Sequence, residues 1–404
     1  MTFFYLSYSF FMSKYYSYLT SASKIINTYS AGKTLAIHIK AFFAADKKFG
    51  SRDRRTIASL CYGYYRTGRA FNKNSVEEKI LYGLFLCENK SNELLRSFRP
   101  DLDEKTSWSP EEKLLLLQTN EIAIFPCSNE LGDGIDKHLF SLSFLVQPQI
   151  FLRVRPGKKQ IVLQKLTNAA VSFKLVADDC IQLGNHVAAD KILKLNKEAV
   201  VQDINSQKVL NYLDSDDAFL HADKKLTAWD CCAASGGKSI LLFDKLKGNV
   251  QLTVSDIRNT ILMNLGKRFE QAGIPIHSSL LADLSVAPGL PAAEKFSIII
   301  CDVPCTGSGT WSRSPEQLYY FDKKQLNAYA ERQRKIVSNT IPYLITGGLF
   351  FYITCSVFQK ENEGVVEFIR GNTGLHLLQM QYLKGYENGA DTMFVAVFST
   401  ANPL

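Results

Sequence analysis

The chain has 404 residues, of which 46% are hydrophobic and 12% aromatic, and this is enough apolar material for more than one packed domain. Such a composition excludes an intrinsically disordered chain. The net charge of +8 is unevenly distributed, because residues 1–100 hold 16 Lys and Arg against six Asp and Glu. This local excess indicates a polyanion-binding region joined to a near-neutral remainder.

Nine cysteines are scattered along the chain, and none has CxxC spacing. The pattern argues against a zinc knuckle and against a secreted disulfide framework, so we expect reduced thiols, a cytoplasmic protein and no metal. The segment before Lys14 is apolar and aromatic but lacks the positive region and small-residue cleavage site of a signal peptide. It is also too short to span a bilayer, so we expect no membrane contact.

The first predicted domain, residues 1–125, is helical, because apolar residues recur at three- and four-residue steps between positions 35 and 85. Within it, a Gly-Ser turn precedes Asp53, which is typical of a helix start. The neighbouring residues Arg52, Arg54 and Arg55 are candidate RNA-binding residues, since clustered guanidinium groups bind phosphates. An ordinary solvated charged face is the alternative that the sequence leaves open.

A second, small α/β domain is predicted over residues 140–200. A strand-like stretch within residues 144–156 is followed by a helical pattern at 159–169 and a second strand at 171–176. Arg153, Arg155, Lys158 and Lys159 give the leading edge of this insert a basic character. We expect the insert to contribute to RNA binding.

The third predicted domain, residues 201–404, is of the α/β class. Its predicted strands, each followed by a helical stretch, are 226–231, 250–255, 296–302 and 349–354. Their near-continuous apolar runs indicate a mostly parallel sheet covered by helices on both faces. In such sheets ligands bind beyond the carboxyl ends of the strands, so the chemistry is expected where these strands stop.

The first of these strands leads into a glycine-rich turn and an apolar helix, the arrangement of a nucleotide site. A phosphate-binding P-loop is excluded because Cys232 occupies the position of its first glycine. Asp256 lies where an acid accepts from a ribose diol, and Asp283 ends a later strand where it could accept from adenine. Together they favour an adenosine cofactor without phosphates, S-adenosylmethionine ahead of NAD, although each Asp alone could be a helix cap. The cofactor-binding residues that this pattern predicts are Gly236, Gly237, Asp256 and Asp283.

Two cysteines, Cys305 and Cys355, follow the strands at 296–302 and 349–354, and Asp302 stands just before Cys305. Carbon 5 of cytosine is a poor nucleophile until a thiolate adds to carbon 6, so this chemistry needs a cysteine. Asp302 is the candidate acid that would hydrogen-bond ring nitrogen 3 as the adduct forms. The alternative is that both cysteines are small buried hydrophobic residues.

The segments DCCAASGGK, DVPCTGSGT and TCSVFQKENE resemble the motifs of bacterial RNA cytosine-5 methyltransferases of the Sun/Fmu/RsmB group, which are related to the NOL/NOP/Sun enzymes. The resemblance covers residues 200–404, and FGSRDRR with its flanking helices resembles the NusB-like domain of this group more weakly. It implies an S-adenosylmethionine-dependent, Rossmann-like methyltransferase domain preceded by a helical NusB-like domain and a small α/β middle domain. It also implies that Cys355 is the nucleophile and that Cys305 aids product release. The cofactor-binding residues that it implies are Cys232, Ala233, Ala234, Ser235, Gly236, Gly237, Lys238, Asp256, Asp283 and Asp302.

Two positions depart from the family pattern. Ser235 replaces the usual proline before the two glycines, and a Trp-Leu signature is missing from residues 138–150. DNA cytosine methyltransferases use the cysteine of the Pro-Cys motif as the nucleophile. Chemistry alone therefore leaves Cys305 and Cys355 interchangeable, and only the resemblance ranks Cys355 first.

The sequence therefore predicts a monomeric RNA cytosine-5 methyltransferase whose partner is RNA, with small-subunit rRNA as the expected substrate. Alternatives are a tRNA substrate or a catalytically silent RNA-binding or ribosome-assembly factor. A silent factor would be expected to have lost a cysteine, a motif glycine or Asp302, and all of these are present. A DNA or protein methyltransferase is disfavoured because neither accounts for both the basic helical domain and the paired cysteines.

Overall fold

The structure is a computed structural model that describes residues 2–215, 224–287 and 289–400, with side chains from Lys14 onward. The chain divides into two compact units. The first unit contains Met1–Asn129, Asp136–Gln147 and Trp311–Lys323. The second contains Glu130–Ile135, Pro148–Thr310 and Lys324–Leu404. The predicted division into three domains differs from this partition, since the small α/β region clusters with the large one.

Helices dominate the first unit and alternate with strands in the second. They are α1 (Thr2–Thr28), α2 (Leu35–Ala45), α3 (Ser51–Arg66), α4 (Val76–Cys87), α5 (Glu93–Phe98), α6 (Pro100–Asp103), α7 (Pro110–Leu116), α8 (Glu121–Ile124), α9 (Lys137–Ser143), α10 (Lys159–Asn168), α11 (Ile204–Lys208), α12 (Gly237–Lys245), α13 (Asn259–Ala272), α14 (Glu316–Tyr320), α15 (Gln325–Thr340) and α16 (Glu363–Asn372). Within the described ranges, none of them combines the length and the apolar character needed to cross a bilayer.

The strands form two sheets. They are β1 (Ile150–Val154), β2 (Phe173–Ala177), β3 (Cys180–Leu183), β4 (Ala199–Val201), β5 (Leu226–Asp230), β6 (Val250–Asp256), β7 (Ile276–Leu281), β8 (Phe296–Asp302), β9 (Leu344–Thr354), β10 (His376–Leu383) and β11 (Met393–Ser399). The small sheet has the order β2-β3-β1-β4, and the large sheet has the order β10-β11-β9-β8-β5-β6-β7.

The first unit, called the helical unit below, is built around α3 and α4, which cross at two glycines. A Cβ atom added to Gly83 would lie 2.4 Å from the carbonyl oxygen of Gly63, so the two backbones touch where neither residue has a side chain. Helix α3 begins as the sequence predicts, because the Asp53 carboxylate accepts the N–H of Gly50 at 3.0 Å.

A later stretch of chain, 311–323, completes the helical unit. Trp311 and Leu318 are buried, and the Glu316 carboxylate accepts the N–H of Leu35 at 3.1 Å. The guanidinium of Arg66, only 4% exposed, donates to the carbonyl of Ser312 at 2.9 Å. The sequence placed these residues in the 201–404 domain, and it could not show that they pack with helices 250 positions away.

The small sheet is antiparallel throughout and is covered by α10. The predicted strand-helix-strand order is present as β1, α10 and β2, and β3 and β4 extend it. The basic leading edge is corrected by the structure, because Arg153 and Arg155 are buried rather than exposed. Both donate to the Asp244 carboxylate of α12, at 2.6 and 2.9 Å, which anchors the small sheet to the large domain.

The large sheet has five parallel strands and an antiparallel edge formed by β10 and β11. Its central strands are buried on both faces, as their apolar runs predict. Strand β5 lies between β6 and β8, so the chain order reverses beside it. In doubly wound sheets this switch point opens a crevice at the carboxyl ends of the strands, where ligands bind.

Candidate active site

A cavity of about 290 Å³ lies at the carboxyl ends of the central strands of the large sheet. Its size is at the lower end of small-molecule sites. All three predicted catalytic residues line it, and so do five of the ten predicted cofactor-binding residues. These lining residues are Cys232, Ala234, Asp256, Asp283, Asp302, Cys305 and Cys355.

The glycine-rich turn between β5 and α12 follows a path that its sequence requires. Gly236 has a φ of +77°, and a Cβ atom there would lie 2.6 Å from the Phe269 ring. Ala234 is also left-handed, with a φ of +45°. Ser235, which replaces the family proline, accepts from Arg268 through both its hydroxyl and its carbonyl, at 2.9 and 2.8 Å. Arg268 therefore holds the turn at the position of the missing proline, and the bond to the hydroxyl is one that a proline could not accept.

Asp256 ends β6 as a buried and strongly bonded carboxylate. It accepts from the backbone N–H of Ala234 at 3.2 Å and from the side chain of Arg258 at 3.0 and 3.1 Å. Burial opposes its ionisation, but the hydrogen bonds from Arg258 and Ala234 prevail and lower the pKa of Asp256. Arg258 lines the cavity and its side chain is 58% exposed, so it can turn aside and leave Asp256 to a hydroxyl donor.

Asp283 lies beyond the end of β7, on the same rim of the cavity. Its Oδ1 accepts from the hydroxyl and the N–H of Ser285, at 2.6 and 3.0 Å. These hydrogen bonds lower the pKa of Asp283. The carboxylate is therefore an acceptor fixed by its own loop.

Asp302 ends β8 and forms an ion pair with Lys238 of α12, with Nζ and Oδ2 separated by 2.5 Å. Burial disfavours the ammonium, but the charge of Asp302 and its hydrogen bond outweigh this effect and raise the pKa of Lys238. The proton shared by the pair therefore resides on Lys238. The sequence assigned both residues to the site but did not reveal that they are bonded to each other.

Cys305 and Cys355 meet at the floor of the cavity, with their Sγ atoms 3.4 Å apart. The hydrogen bond to Cys355 and burial both raise the pKa of the Cys305 thiol well above its usual value. Either sulfur could be the donor in this contact, and the raised pKa favours the protonated form of Cys305. Both side chains are partly exposed, which argues against the alternative that they are only core residues.

The other predicted residues lie around this cavity or in the helical unit. Ala233, Ser235, Gly236, Gly237 and Lys238 form the turn and the start of α12 without lining the cavity. On α3, Arg52 and Arg55 are exposed, whereas Arg54 is half-buried and donates to the carbonyl of Phe49 at 2.9 Å. Arg258, which stands just before α13, and Arg332 of α15 also line the cavity and were not predicted.

The polar groups that line the cavity fit an adenosyl cofactor. Two carboxylates, Asp256 and Asp283, stand at the ends of adjacent strands as hydrogen-bond acceptors for hydroxyl and amino groups. The left-handed turn beside them places Ala234 on the wall of the cavity. In the part of the chain that the structure describes, no group of three or more His, Cys, Asp and Glu residues could hold a metal ion.

The family described as "16S rRNA methyltransferase RsmB/F" matches residues 218–398, which span the whole large sheet except its last residue. Residues 218–398 of this chain are thus similar to the RsmB/F methyltransferase family. The resemblance to the Sun/Fmu/RsmB group is thereby confirmed. S-adenosylmethionine is the cofactor of this fold, which agrees with the donor set of the cavity.

Curated relatives carry the same family names. The chain is 27% identical over 228 residues to the probable ribosomal RNA small subunit methyltransferase B of Bacillus subtilis, covering 55% of this chain and 49% of the relative. It is 27% identical over 219 residues to the ribosomal RNA small subunit methyltransferase F of Shewanella loihica, covering 54% and 43%. The chain thus spans about half the length of the curated relatives that it matches.

Solved structures share the fold of residues 218–398, and one of them superimposes on nearly the whole chain. A structure titled "Crystal Structure of PH0851" superimposes with a TM-score of 0.69, covering 95% of this chain and 98% of that one at 16% identity. The NSun6 structure from Pyrococcus horikoshii with SFG has a TM-score of 0.56, covering 66% and 94% at 13% identity. The Rossmann-like methyltransferase fold with an N-terminal helical region is therefore confirmed.

Proposed function

We propose that the chain transfers a methyl group from S-adenosylmethionine to carbon 5 of a cytosine in RNA. The observation that carries the proposal is a pair of cysteines, with sulfur atoms 3.4 Å apart, in the same cavity as the two carboxylates suited to an adenosyl group. Names of relatives support rRNA of the small subunit as the substrate.

Cys355 is the proposed nucleophile. Its Sγ adds to carbon 6 of the cytosine and forms a carbon–sulfur bond, which moves electron density onto carbon 5 and ring nitrogen 3. S-adenosylmethionine would supply an electrophilic methyl group, whose bond to the sulfonium sulfur breaks as carbon 5 forms the new carbon–carbon bond and leaves a neutral thioether. The family resemblance assigns the attack to Cys355, and the hydrogen bond to Cys355 and burial raise the pKa of the Cys305 thiol, which agrees with that assignment.

Asp302 and Lys238 act as one unit in this proposal. An ionised carboxylate cannot donate a proton to ring nitrogen 3, so the acid role proposed for Asp302 requires the proton held on Lys238. The pair can hydrogen-bond the base as negative charge builds up on the ring. Asp302 positions the base, and Lys238 carries the proton.

Cys305 assists the last step. Loss of the proton from carbon 5 restores the double bond, breaks the carbon–sulfur bond and returns Cys355 as a thiolate. The S–H of Cys305 then donates to the departing Cys355 sulfur and stabilises its negative charge. In this proposal Cys305 acts as a protonated thiol and not as a thiolate.

Binding of RNA is assigned to the exposed guanidinium groups of Arg52 and Arg55, with Arg54 beside them. They border an open groove of about 440 Å³ on the helical unit, which also includes Asn92. The target base must leave its stack or lie in a loop, because carbon 6 is inaccessible inside a duplex.

Methyl incorporation from labelled S-adenosylmethionine tests the proposal. The purified chain is offered 16S rRNA, assembled small subunits, tRNA and a DNA of matching sequence, and products are mapped by bisulfite sequencing. We expect 5-methylcytosine in small-subunit rRNA. Labelling of tRNA alone would favour the tRNA alternative, and tight RNA binding without incorporation would favour a silent assembly factor.

A further inference from the structure

The carboxylate of Glu361 lies between the two loops that carry the reactive cysteines. None of the catalytic steps proposed above uses it. Glu361 belongs to the short helical turn after β9 and is completely buried. A buried carboxylate is costly unless it is fully hydrogen-bonded, so its retention at this position calls for an explanation.

Four hydrogen bonds reach this carboxylate, and all are donated to it. The N–H and the hydroxyl of Thr306 donate at 2.9 and 2.6 Å, and Thr306 directly follows Cys305. The hydroxyl of Ser356, which directly follows Cys355, donates at 2.5 Å. The amide of Gln333 on α15 donates at 3.1 Å. A set of donors without an acceptor is what an ionised carboxylate requires.

Glu361 is thus hydrogen-bonded to the residue that follows each of the two cysteines. The backbone carbonyl of Glu361 accepts from the hydroxyl of Tyr352 inside β9, and this bond fixes the backbone of Glu361 to the sheet. The next residue, Asn362, donates to the carbonyl of Ser356 at 2.8 Å and accepts from Thr354 at 2.6 Å. The loop that carries Cys355 is therefore held from both sides.

We propose that Glu361 is a positioning residue that clamps the Cys305 and Cys355 loops together and supplies a fixed negative charge beside Cys305. This inference rests on the proposed function for its catalytic meaning. The charge of Glu361 opposes ionisation of the Cys305 thiol. The clamp keeps the two sulfur atoms within reach of one base.

Electrostatics agree with this geometry. The hydrogen bond to Cys355, burial and the charge of Glu361 all raise the pKa of Cys305. Burial raises the pKa of Glu361 itself, and the hydrogen bonds from Ser356, Thr306 and Gln333 oppose that rise. The same four donors therefore serve two ends, since they fix the loops and they favour the ionised carboxylate.

The test is Glu361→Gln, which removes the charge and nearly preserves the shape. Iodoacetamide labelling of the RNA-free protein is followed by peptide mass spectrometry at several pH values. We expect the pH midpoint for Cys305 alkylation to fall by about one pH unit, because a neighbouring negative charge is gone. The turnover number for methyl transfer should fall by about 10- to 100-fold with the Kd for S-adenosylmethionine unchanged.

Glu363→Gln is the matched control, because Glu363 is a partly buried carboxylate two residues away that accepts from Tyr382 rather than from the cysteine loops. It should leave the Cys305 profile unchanged. If Glu361→Gln does not fold, Thr306→Val removes a single donor and should shift the profile in the same direction by less.

An unchanged Cys305 alkylation profile in a folded Glu361→Gln protein would overturn the inference. This readout needs neither RNA nor methyl transfer, so it separates the two failures. If the unsubstituted protein methylates no RNA but the profile shifts, the proposed function fails and the charge effect stands. If it methylates RNA and the profile does not shift, only the role of Glu361 fails.

Discussion

Asp230 ends the central strand β5 next to the cofactor turn as a fully buried carboxylate. Its Oδ2 accepts from Ser239 at 2.5 Å, and its Oδ1 has no hydrogen-bond partner among the described residues. Burial raises the pKa of Asp230 to about 7. The free protein therefore holds a proton at this site near neutral pH, directly behind the ion pair of Lys238 and Asp302.

We predict a pH-dependent stability that Asp230→Asn removes. The folded-state pKa is raised, so the folded protein keeps the proton that the unfolded chain releases near pH 4, and the free energy of unfolding falls as pH rises from about 4 to about 7. Without cofactor, Asp230→Asn should be more stable than the unsubstituted protein at pH 8, by at most about 4 kcal/mol, with little difference at pH 4.

Urea unfolding at several pH values measures this effect. Glu270→Gln, a change at an exposed carboxylate on α13, is the control and should preserve the original slope. Equal pH slopes for Asp230→Asn and the unsubstituted protein would show that Asp230 is not the group responsible.

Single residues show where sequence reasoning succeeds and where it ends. The types and positions of Cys305, Cys355, Asp256, Asp283 and Asp302 were sufficient to place all of them at one cavity. The bond between Lys238 and Asp302 joins residues 64 positions apart. Pairings of this kind depend on how strand ends are juxtaposed, which one chain without relatives does not specify.

Among the elements, the turn between β5 and α12 makes the strictest demand on its sequence. We predict that Gly236→Ala lowers the free energy of unfolding by about 1–3 kcal/mol and weakens S-adenosylmethionine binding, because it combines left-handed strain with contact against Phe269. Calorimetry of cofactor binding and chemical unfolding measure both effects.

Gly266→Ala is the paired control for that substitution. Gly266 lies inside α13 with nothing within 4 Å of an added Cβ, so alanine there should be neutral or slightly stabilising. Equal behaviour of the two variants would mean that the turn tolerates a side chain and that its glycine is not required.

The basic start of α3 is a second element with a direct test. Arg52→Glu with Arg55→Glu should weaken RNA binding and make the salt dependence less steep, by about two units of log–log slope if each residue neutralises one phosphate. Binding of S-adenosylmethionine should not change. Arg54 is left in place because its bond to the Phe49 carbonyl gives it a structural role.

The control for this pair reverses Lys267 and Lys384, two exposed lysines of the second unit that lie outside the small α/β insert, and so changes the net charge equally. Fluorescence anisotropy at several salt concentrations compares the two proteins. If both pairs reduce affinity equally, the effect belongs to net charge, and the α3 cluster is an ordinary solvated face.

Element prediction was most accurate where burial produces a simple pattern. The apolar runs of β8 and β9 predicted parallel strands covered on both faces, and the structure pairs these two strands in parallel. The edge strands β10 and β11 were not predicted. Strand β10 is only partly buried along most of its length, and the antiparallel pairing of β11 with β9 depends on a reversal far from any motif.

On the scale of the whole molecule, the interleaving of chain segments limits how it can be divided. The first unit includes residues 311–323, which the sequence places between the two cysteines. Trp311 packs near Phe125, and Tyr319 packs near Tyr64 and Tyr65. Removing residues 1–147 would leave these apolar side chains without cover.

We therefore predict that a fragment of residues 148–404 is poorly soluble, because exposed apolar patches promote association. Replacing residues 311–323 in that fragment with a Gly-Ser linker should restore a soluble, folded protein. Sedimentation and circular dichroism of both fragments and the full chain measure the difference. A well-behaved fragment with residues 311–323 intact would show that this segment does not need the helical unit.

The most direct measurement of the chemistry is a covalent trap. Labelled substrate RNA and S-adenosylmethionine are incubated with the unsubstituted protein, Cys305→Ala and Cys355→Ala, and each mixture is run on a denaturing gel. A band of protein bonded to RNA should accumulate with Cys305→Ala, since the donor to the departing sulfur is lost, and be absent with Cys355→Ala. A band with Cys355→Ala and none with Cys305→Ala would mean that the two cysteines have the opposite roles.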